Sequence, residues 1–262
     1  MQDCEKNTKI VSVSDYDVNY FKGIELRYEE GIYINRIKNI KRFLNMLNVA
    51  GEYCLDIGCG TGFFSQMLIQ RDAKVISADF SRHALGYCKR IGENLALVQC
   101  SAESMPFLSD SFKFVLALDI IEHLYKPEKF ISEIHRILKS EGQLLISTNN
   151  RCHLGNLKFI GRILSYMEAK TNIGKRLAKI QSYESKTMGR IGDSSHHVKV
   201  FSFRELRNLL QDNGFKVLDY DTFPYTFLAI RDFIFGLPVI RKCFKKYRGD
   251  NMILLATKIS PI

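Results

Sequence analysis

The sequence predicts an α/β fold, a doubly wound sheet of seven strands with helices on both faces. Three observations carry that expectation. Short apolar runs alternate with helical patterns along most of the chain. A glycine-rich turn, "CLDIGCGTGFFS", follows the first of those runs, from Cys54 to Ser65. The chain of 262 residues, 46% hydrophobic, can bury one substantial core.

The elements follow in order. Residues 1–23 are polar and aromatic and read as a loose arm; the N-terminal arm as a unit is placed at 1–34, with one domain over 35–262. "YINRIKNIKRFLNML" sets Ile34, Ile37, Ile40, Phe43, Leu44 and Leu47 at helical spacing. Strands are predicted at 53–57, 74–78, 95–99, 113–118 and 143–148, with helices at 62–71, 81–91 and 127–139 between them. Ser81 suits the cap of the second of these helices, and Pro127 suits the first turn of the third. Strands alternating with helices imply crossovers and a parallel sheet. The rhythm breaks at about 150–198, a basic amphipathic segment read as an insertion. It resumes with a helix at 203–212, stopped by Gly214, the strand "FKVLDY" and a last strand "MILLATK".

A glycine-rich turn between a strand and a helix lets backbone approach a ligand at the carboxyl end of a sheet. The dinucleotide fingerprint needs a third glycine where this chain has Phe63, and no lysine follows as a triphosphate loop requires. Pyrophosphate and triphosphate are therefore poor fits.

Asp56-Ile57-Gly58-Cys59-Gly60-Thr61-Gly62 resembles the first motif of class I S-adenosylmethionine-dependent methyltransferases. "VISADFS", "CSAESMPF", "LALDIIEHL" and "FSFRELRNLLQDNGFKV" resemble further segments of that family, in the family's order. The resemblance covers about 35–150 well and 197–262 more loosely. It implies a Rossmann-like sheet, mostly parallel with an antiparallel last strand, and S-adenosyl-L-methionine as cofactor. Carried onto this sequence, Gly58, Cys59 and Gly60 would bring amides to the cofactor. Asp56 would orient the loop by accepting amide hydrogens. Asp79, 19 residues after Gly60, would accept from the ribose hydroxyls. Phe80 would pack on the adenine face. Ala102 would offer its amide to the ring edge, and Ser101, standing where the family has Asp, or else Glu103, would accept from the adenine amino group. The Leu118 backbone would meet the cofactor's amino group.

The chemistry is expected after the fourth strand, at Asp119, Glu122 and His123. His123 is the candidate base, with Asp119 beside it, for an acceptor that carries a proton. "DIIEH" is also similar to the E-x-x-E-H of ubiquinone-biosynthesis O-methyltransferases, which implies a divalent metal on Asp119, Glu122 and His123. Metal-free catalysis, with His123 as a base or only structural, is the competing reading and the one adopted. His196 and His197 are further candidates for touching substrate, and Tyr16, Tyr20 and Phe21 for closing over the cofactor.

Charge bears on the acceptor. Residues 1–150 hold 18 Lys+Arg against 19 Asp+Glu, whereas 151–262 hold 20 against 9. Anionic partners are thus expected at the second part. Nucleic-acid amino methyltransferases usually carry a Pro-Pro motif where this chain has Asp119-Ile120-Ile121-Glu122, which disfavours base methylation. "NLKFIGRILSYMEAKTNIGKRLAKI" and "FIFGLPVIRKCFKKYRG" have the composition of interfacial helices. The expected acceptor is a small or lipid-linked molecule, most simply through oxygen, with peripheral contact to anionic membrane. RNA methylation and a non-catalytic cofactor-binding role are the alternatives. Seven cysteines without paired spacing suggest reduced thiols and a cytoplasmic location. No apolar stretch reaches the about 20 residues of a membrane span.

Overall fold

The computed structural model describes residues 16–29, 33–90, 92, 95–151, 197–223, 249 and 251–259. Seven strands form one sheet: β1 (Tyr53–Ile57), β2 (Lys74–Asp79), β3 (Ala96–Gln99), β4 (Phe112–Leu118), β5 (Leu138–Asn149), β6 (Phe215–Phe223) and β7 (Asn251–Lys258). Their order is β3-β2-β1-β4-β5-β7-β6. Neighbours from β3 through β5 run parallel. β7 lies between β5 and β6, antiparallel to both. The sheet matches the expected Rossmann-like arrangement, including its reversed last strand.

The described helices are α1 (Val18–Glu29), α2 (Ile34–Leu44), α3 (Phe63–Ile69), α4 (Arg82–Cys88), α5 (Pro127–Ile137) and α6 (Phe203–Asp212), with a 3-10 turn at Ile121–His123. The period-2 alternation of β4 divides the core. Phe114, Leu116 and Leu118 face a cluster with Ile40, Phe43 and Leu44 of α2 and Phe64, Met67 and Leu68 of α3. Val115 and Ala117 face the other side, with Phe130, Ile131 and Ile134 of α5 and Leu206 and Leu210 of α6. Both faces are thus covered, as a parallel sheet requires.

Several local expectations change. Residues 18–23, read as part of a loose arm, begin α1. Phe21 packs there against Ala84 and Tyr87 of α4, which supplies the burial that the polar local sequence does not advertise. Ser81 gives α4 no side-chain cap; its hydroxyl donates instead to the Tyr16 carbonyl at 3.1 Å. Pro127 does stand in the first turn of α5. That helix ends at Ile137, because Leu138 pairs with Phe112 and starts β5 early. Ser202 and Glu205 form a capping box at the start of α6. The insertion, apart from Asn150, Arg151, His197 and Val198, the run "FIFGLPVIRKCFKKYR" and His196 lie outside the described residues. No helix among the described residues is long and apolar enough to cross a membrane.

Candidate active site

The strand order reverses direction between β1 and β4, and in such sheets ligands settle beyond the carboxyl strand ends at that point. β1 ends on the glycine loop, β2 on Asp79, β3 just before Ser101, and β4 on Leu118 and Asp119. Topology therefore gathers the residues singled out in the sequence along one edge.

The glycine loop is constrained from two sides. Gly58 has φ +71°, and a Cβ there would stand 2.8 Å from Ile120 Cδ1. Gly60 has φ +54°, but its missing Cβ would meet only the Phe21 ring, at 4.0 Å. Gly58 is thus required by packing, while Gly60 leaves bare backbone on open space. The Gly60 amide donates to Asp79 Oδ2 at 3.0 Å, and the Ser81 amide to Asp79 Oδ1 at 2.8 Å. Burial pushes the Asp79 carboxyl above its ordinary value, opposed by the Ser81 and Gly60 amides. A carboxylate has about four lone-pair sites, so these amides leave Asp79 further acceptor capacity.

Asp56 engages Ser65, the last residue of the glycine stretch, through both the serine's amide and its hydroxyl. Its Oδ2 accepts from the Ser65 hydroxyl at 2.6 Å, and Ser65 in turn accepts from the Ser77 hydroxyl at 2.7 Å. The Gly60 amide goes to Asp79 instead. Asp56 is enclosed between β1 and the start of α3, and its burial raises the carboxyl to about 7, against the lowering by Ser65. Asp56 thus holds the helix that follows the loop.

The third strand end is more exposed. Ser101 Oγ accepts from the Glu103 amide at 3.2 Å, and Glu103 Oε1 from the Lys126 amide at 2.9 Å. Glu103 therefore already ties this loop to the entry of α5. Ala102 is buried in the core. Phe80 is half exposed, a free ring face next to Asp79.

Beyond β4, Asp119 adopts φ +53°, a left-handed conformation that short polar side chains tolerate best. Arg36 of α2 holds its Oδ2 at 3.0 Å, and the Ser147 hydroxyl donates to Oδ1 at 2.6 Å. Arg36 is itself buried against the rings of Tyr28, Tyr33 and Phe64. Glu122 is buried and accepts from Thr148 Oγ1 at 2.8 Å. Burial first, then the Asp119 charge, pushes its carboxyl upward. His123 Nδ1 lies 3.3 Å from the Tyr16 hydroxyl. His197 lies beside His123, ring centroids 5.1 Å apart, and takes the Asn149 amide at 3.2 Å.

The ligand set inferred from E-x-x-E-H is thereby revised. Among the described residues, the group close enough to share a cation is Glu122, His123 and His197, with ligand atoms within 4.8 Å of one another. Asp119 is engaged by Arg36. Two imidazoles and a carboxylate suit a borderline divalent cation. The sequence reading missed Arg36, Tyr16's reach to His123, and the supporting Ser65, Thr148 and Asn149. For Arg36 a signal existed, since it stands four residues before Ile40 on the stripe that α2 buries. Tyr16 also spans the site: its carbonyl meets Ser81 beyond β2 and its hydroxyl meets His123 beyond β4.

The chain is similar to several known proteins. Residues 55–146 match the family model described as methyltransferase domain. The chain is 33% identical over 110 residues to the ubiquinone biosynthesis O-methyltransferase of Pseudomonas fluorescens, covering 40% of this chain and 47% of that one. It is 28% identical over 177 residues to the protein of the same name from Bartonella bacilliformis, covering 65% of this chain and 62% of that one. A stretch of 161 residues is 30% identical to the biotin biosynthesis bifunctional protein BioHC of Cellvibrio japonicus, 55% of this chain and 32% of that protein. The matches thus span between about a third and two thirds of those relatives' own length. Among solved structures, the chain resembles the complex between the Haloferax volcanii Trm112 methyltransferase activator and a methyltransferase, with TM-score 0.61, 17% identity, and 94% of this chain and 99% of that one covered. A Bacillus halodurans methyltransferase structure gives TM-score 0.56 and 19% identity, covering 85% of this chain and all of that one. Residues 55–146 thus match a methyltransferase domain, and the sheet is the Rossmann-like one of the solved methyltransferases that the chain resembles.

Proposed function

We propose that this protein transfers a methyl group from S-adenosylmethionine to an oxygen of a small or lipid-linked acceptor. The observation that carries the reading is the placement of Asp79 and the bare Gly60 backbone at one side of the site and Glu122 with His123 at the other, linked by Tyr16. The residues fit the cofactor. Asp79 offers acceptors for vicinal hydroxyls, Gly60 leaves room for close approach, and Phe80 presents a ring face for a base. Ser101 and Ala102 follow β3 and Leu118 ends β4, on either side of β1 and β2, where adenine and the amino acid portion would extend.

S-adenosylmethionine supplies an activated methyl on a sulfonium sulfur, so in-line alignment of the acceptor is the protein's main task. His123 is the residue for the acceptor proton, and Tyr16 at Nδ1 orients its ring. A second reading rests on the Glu122, His123 and His197 group. These three would hold a divalent cation, which would lower the pKa of an acceptor hydroxyl. The oxygen acceptor draws support from the ubiquinone O-methyltransferase relatives and from a candidate base that nitrogen or sulfur acceptors need less. The lipid-linked class and contact with anionic membrane rest on the basic excess of residues 151–262.

The test is incubation with methyl-labelled S-adenosylmethionine and separated lipid, RNA and soluble-metabolite extracts. Label in a lipid or small-molecule fraction, lost in His123→Ala, supports the reading. Label in RNA establishes the nucleic-acid alternative. Tight cofactor binding with no labelled product in any fraction favours the non-catalytic one. Chelator treatment distinguishes the metal-assisted reading, which predicts loss of transfer and recovery with added divalent metal.

A further inference from the structure

Two thiols meet under the glycine loop. Cys59 Sγ lies 3.5 Å from Cys88 Sγ, and Cys88 Sγ also lies 3.5 Å from the Gly60 carbonyl. Cys59 is the loop residue between the left-handed Gly58 and Gly60, and Cys88 is the last residue of α4. Both side chains sit in a small apolar cluster with Leu85, Leu95 and Leu97. Cys54 and Cys100, also free, share no such contact among the described residues.

We propose that Cys59 and Cys88 are a redox modification site, forming a reversible disulfide that disables the glycine loop. A disulfide brings its sulfurs to about 2.05 Å, so the pair must close by roughly 1.5 Å from its present separation. The two sides do not yield equally. α4 is anchored through Ala84 and Tyr87 on Phe21, and by the Tyr87 hydroxyl on the Val18 carbonyl at 3.2 Å. The loop turns on three left-handed glycines, Gly58, Gly60 and Gly62, and moves more readily. Its displacement draws Gly60 away from Asp79, whose 3.0 Å contact fixes the backbone on which the cofactor would lie. The consequence for binding rests on the cofactor reading above; the disulfide itself does not.

The chemistry balances with a peroxide as oxidant. The Cys59 sulfur, as thiolate, attacks one peroxide oxygen, giving a sulfenic acid and one water. The Cys88 sulfur then displaces the sulfenic oxygen, giving the disulfide and a second water. Two thiols lose two electrons and two protons in all, and a dithiol reductant returns them. The hydrogen bond between the thiols, then burial, pushes Cys59 well above its ordinary value, so the reaction is slow beside that of an exposed low-pKa thiol. A bound cofactor would cover the loop and slow it further.

The test exposes the full chain to hydrogen peroxide, maps disulfide-linked peptides, and titrates S-adenosylhomocysteine into reduced and oxidised protein. The expected result is a Cys59–Cys88 link, an affinity at least about tenfold weaker, and recovery with dithiothreitol. Cys88→Ser should bind like wild type when reduced and should yield no such link under peroxide. Cys88→Ala serves if the serine variant does not melt cooperatively. Absence of the link in folded, peroxide-treated protein, or a link with unchanged affinity, overturns the proposal. A reduced chain that binds no S-adenosylhomocysteine overturns the cofactor reading and with it the loop-disabling consequence, while the peptide map still decides whether the disulfide forms.

Discussion

The Arg36–Asp119 pair fixes the first residue after β4, and a double-mutant cycle measures how strongly. The perturbations are Arg36→Met and Asp119→Asn, singly and together. The side chains are 10% and 14% exposed at a separation of 3.0 Å. Breaking a buried pair by removing one partner costs about 3–5 kcal/mol. The lower end applies to Arg36→Met, because Asp119 keeps the Ser147 hydroxyl. Asp119→Asn should cost about 2 kcal/mol, since Arg36 keeps the Tyr28 hydroxyl and three ring faces, and asparagine tolerates the left-handed backbone. In the double variant neither charge is stranded, so the total should stay near about 3 kcal/mol and the coupling near about 2 kcal/mol. Urea unfolding, with the denaturant slope unchanged across the four proteins, gives these numbers. Single costs that add to within about 0.5 kcal/mol would refute the claim that the two side chains act as one unit.

Other outcomes follow from the same geometry. Asp79→Ala should weaken S-adenosylhomocysteine binding about a hundredfold or more, from two charge-assisted bonds at roughly 1.5–2 kcal/mol each; equal dissociation constants by calorimetry would remove its ribose role. Gly60→Ala should cost only about 1 kcal/mol of stability, for a residue at φ +54° with open space around its Cβ, yet reduce cofactor affinity about tenfold or more. Gly58→Ala should cost more stability than Gly60→Ala in the same melts, because its Cβ meets Ile120. Asp56 gives a pH dependence. Its folded value, about 7 against an ordinary 3.8, means that the folded state holds a proton the unfolded chain has released. Its contribution is therefore full below about pH 4 and is lost as pH rises through 7, at up to ~1.4 kcal/mol per pH unit. Cofactor-free wild type should lose at least about 2 kcal/mol relative to Asp56→Asn between pH 5 and pH 8; parallel profiles would contradict the assignment.

Much of this was legible before the structure, and the reason is local. Apolar alternation marks a parallel strand, and in a doubly wound sheet the residue just past a strand is automatically at the ligand edge. Gly58, Asp79 and Asp119 could therefore be placed from spacing. What escaped were partners supplied by other elements. Asp56 and Asp79 are both acids at strand ends, and the sequence does not say which reaches back to the loop; the placement of Ser65 in the first turn of α3 leaves that task to Asp79. Asp119 reads as a ligand beside Glu122 and His123 until Arg36 arrives from α2. His197 joins His123 only because β5 carries Asn149 to the same edge. The α1 helix was obscured by a polar sequence whose burial comes from Phe21 on α4.

The roles proposed for Gly60, Asp79 and His123 all require a sulfonium nucleoside lying across the glycine loop with its ribose on Asp79. Isothermal calorimetry on the reduced full chain tests it most directly. Saturable heat is expected with S-adenosylmethionine and S-adenosylhomocysteine, one molecule per chain, and none with NAD or ATP. Silence with both sulfur nucleosides, together with saturable binding of a dinucleotide or a nucleoside triphosphate, would contradict it.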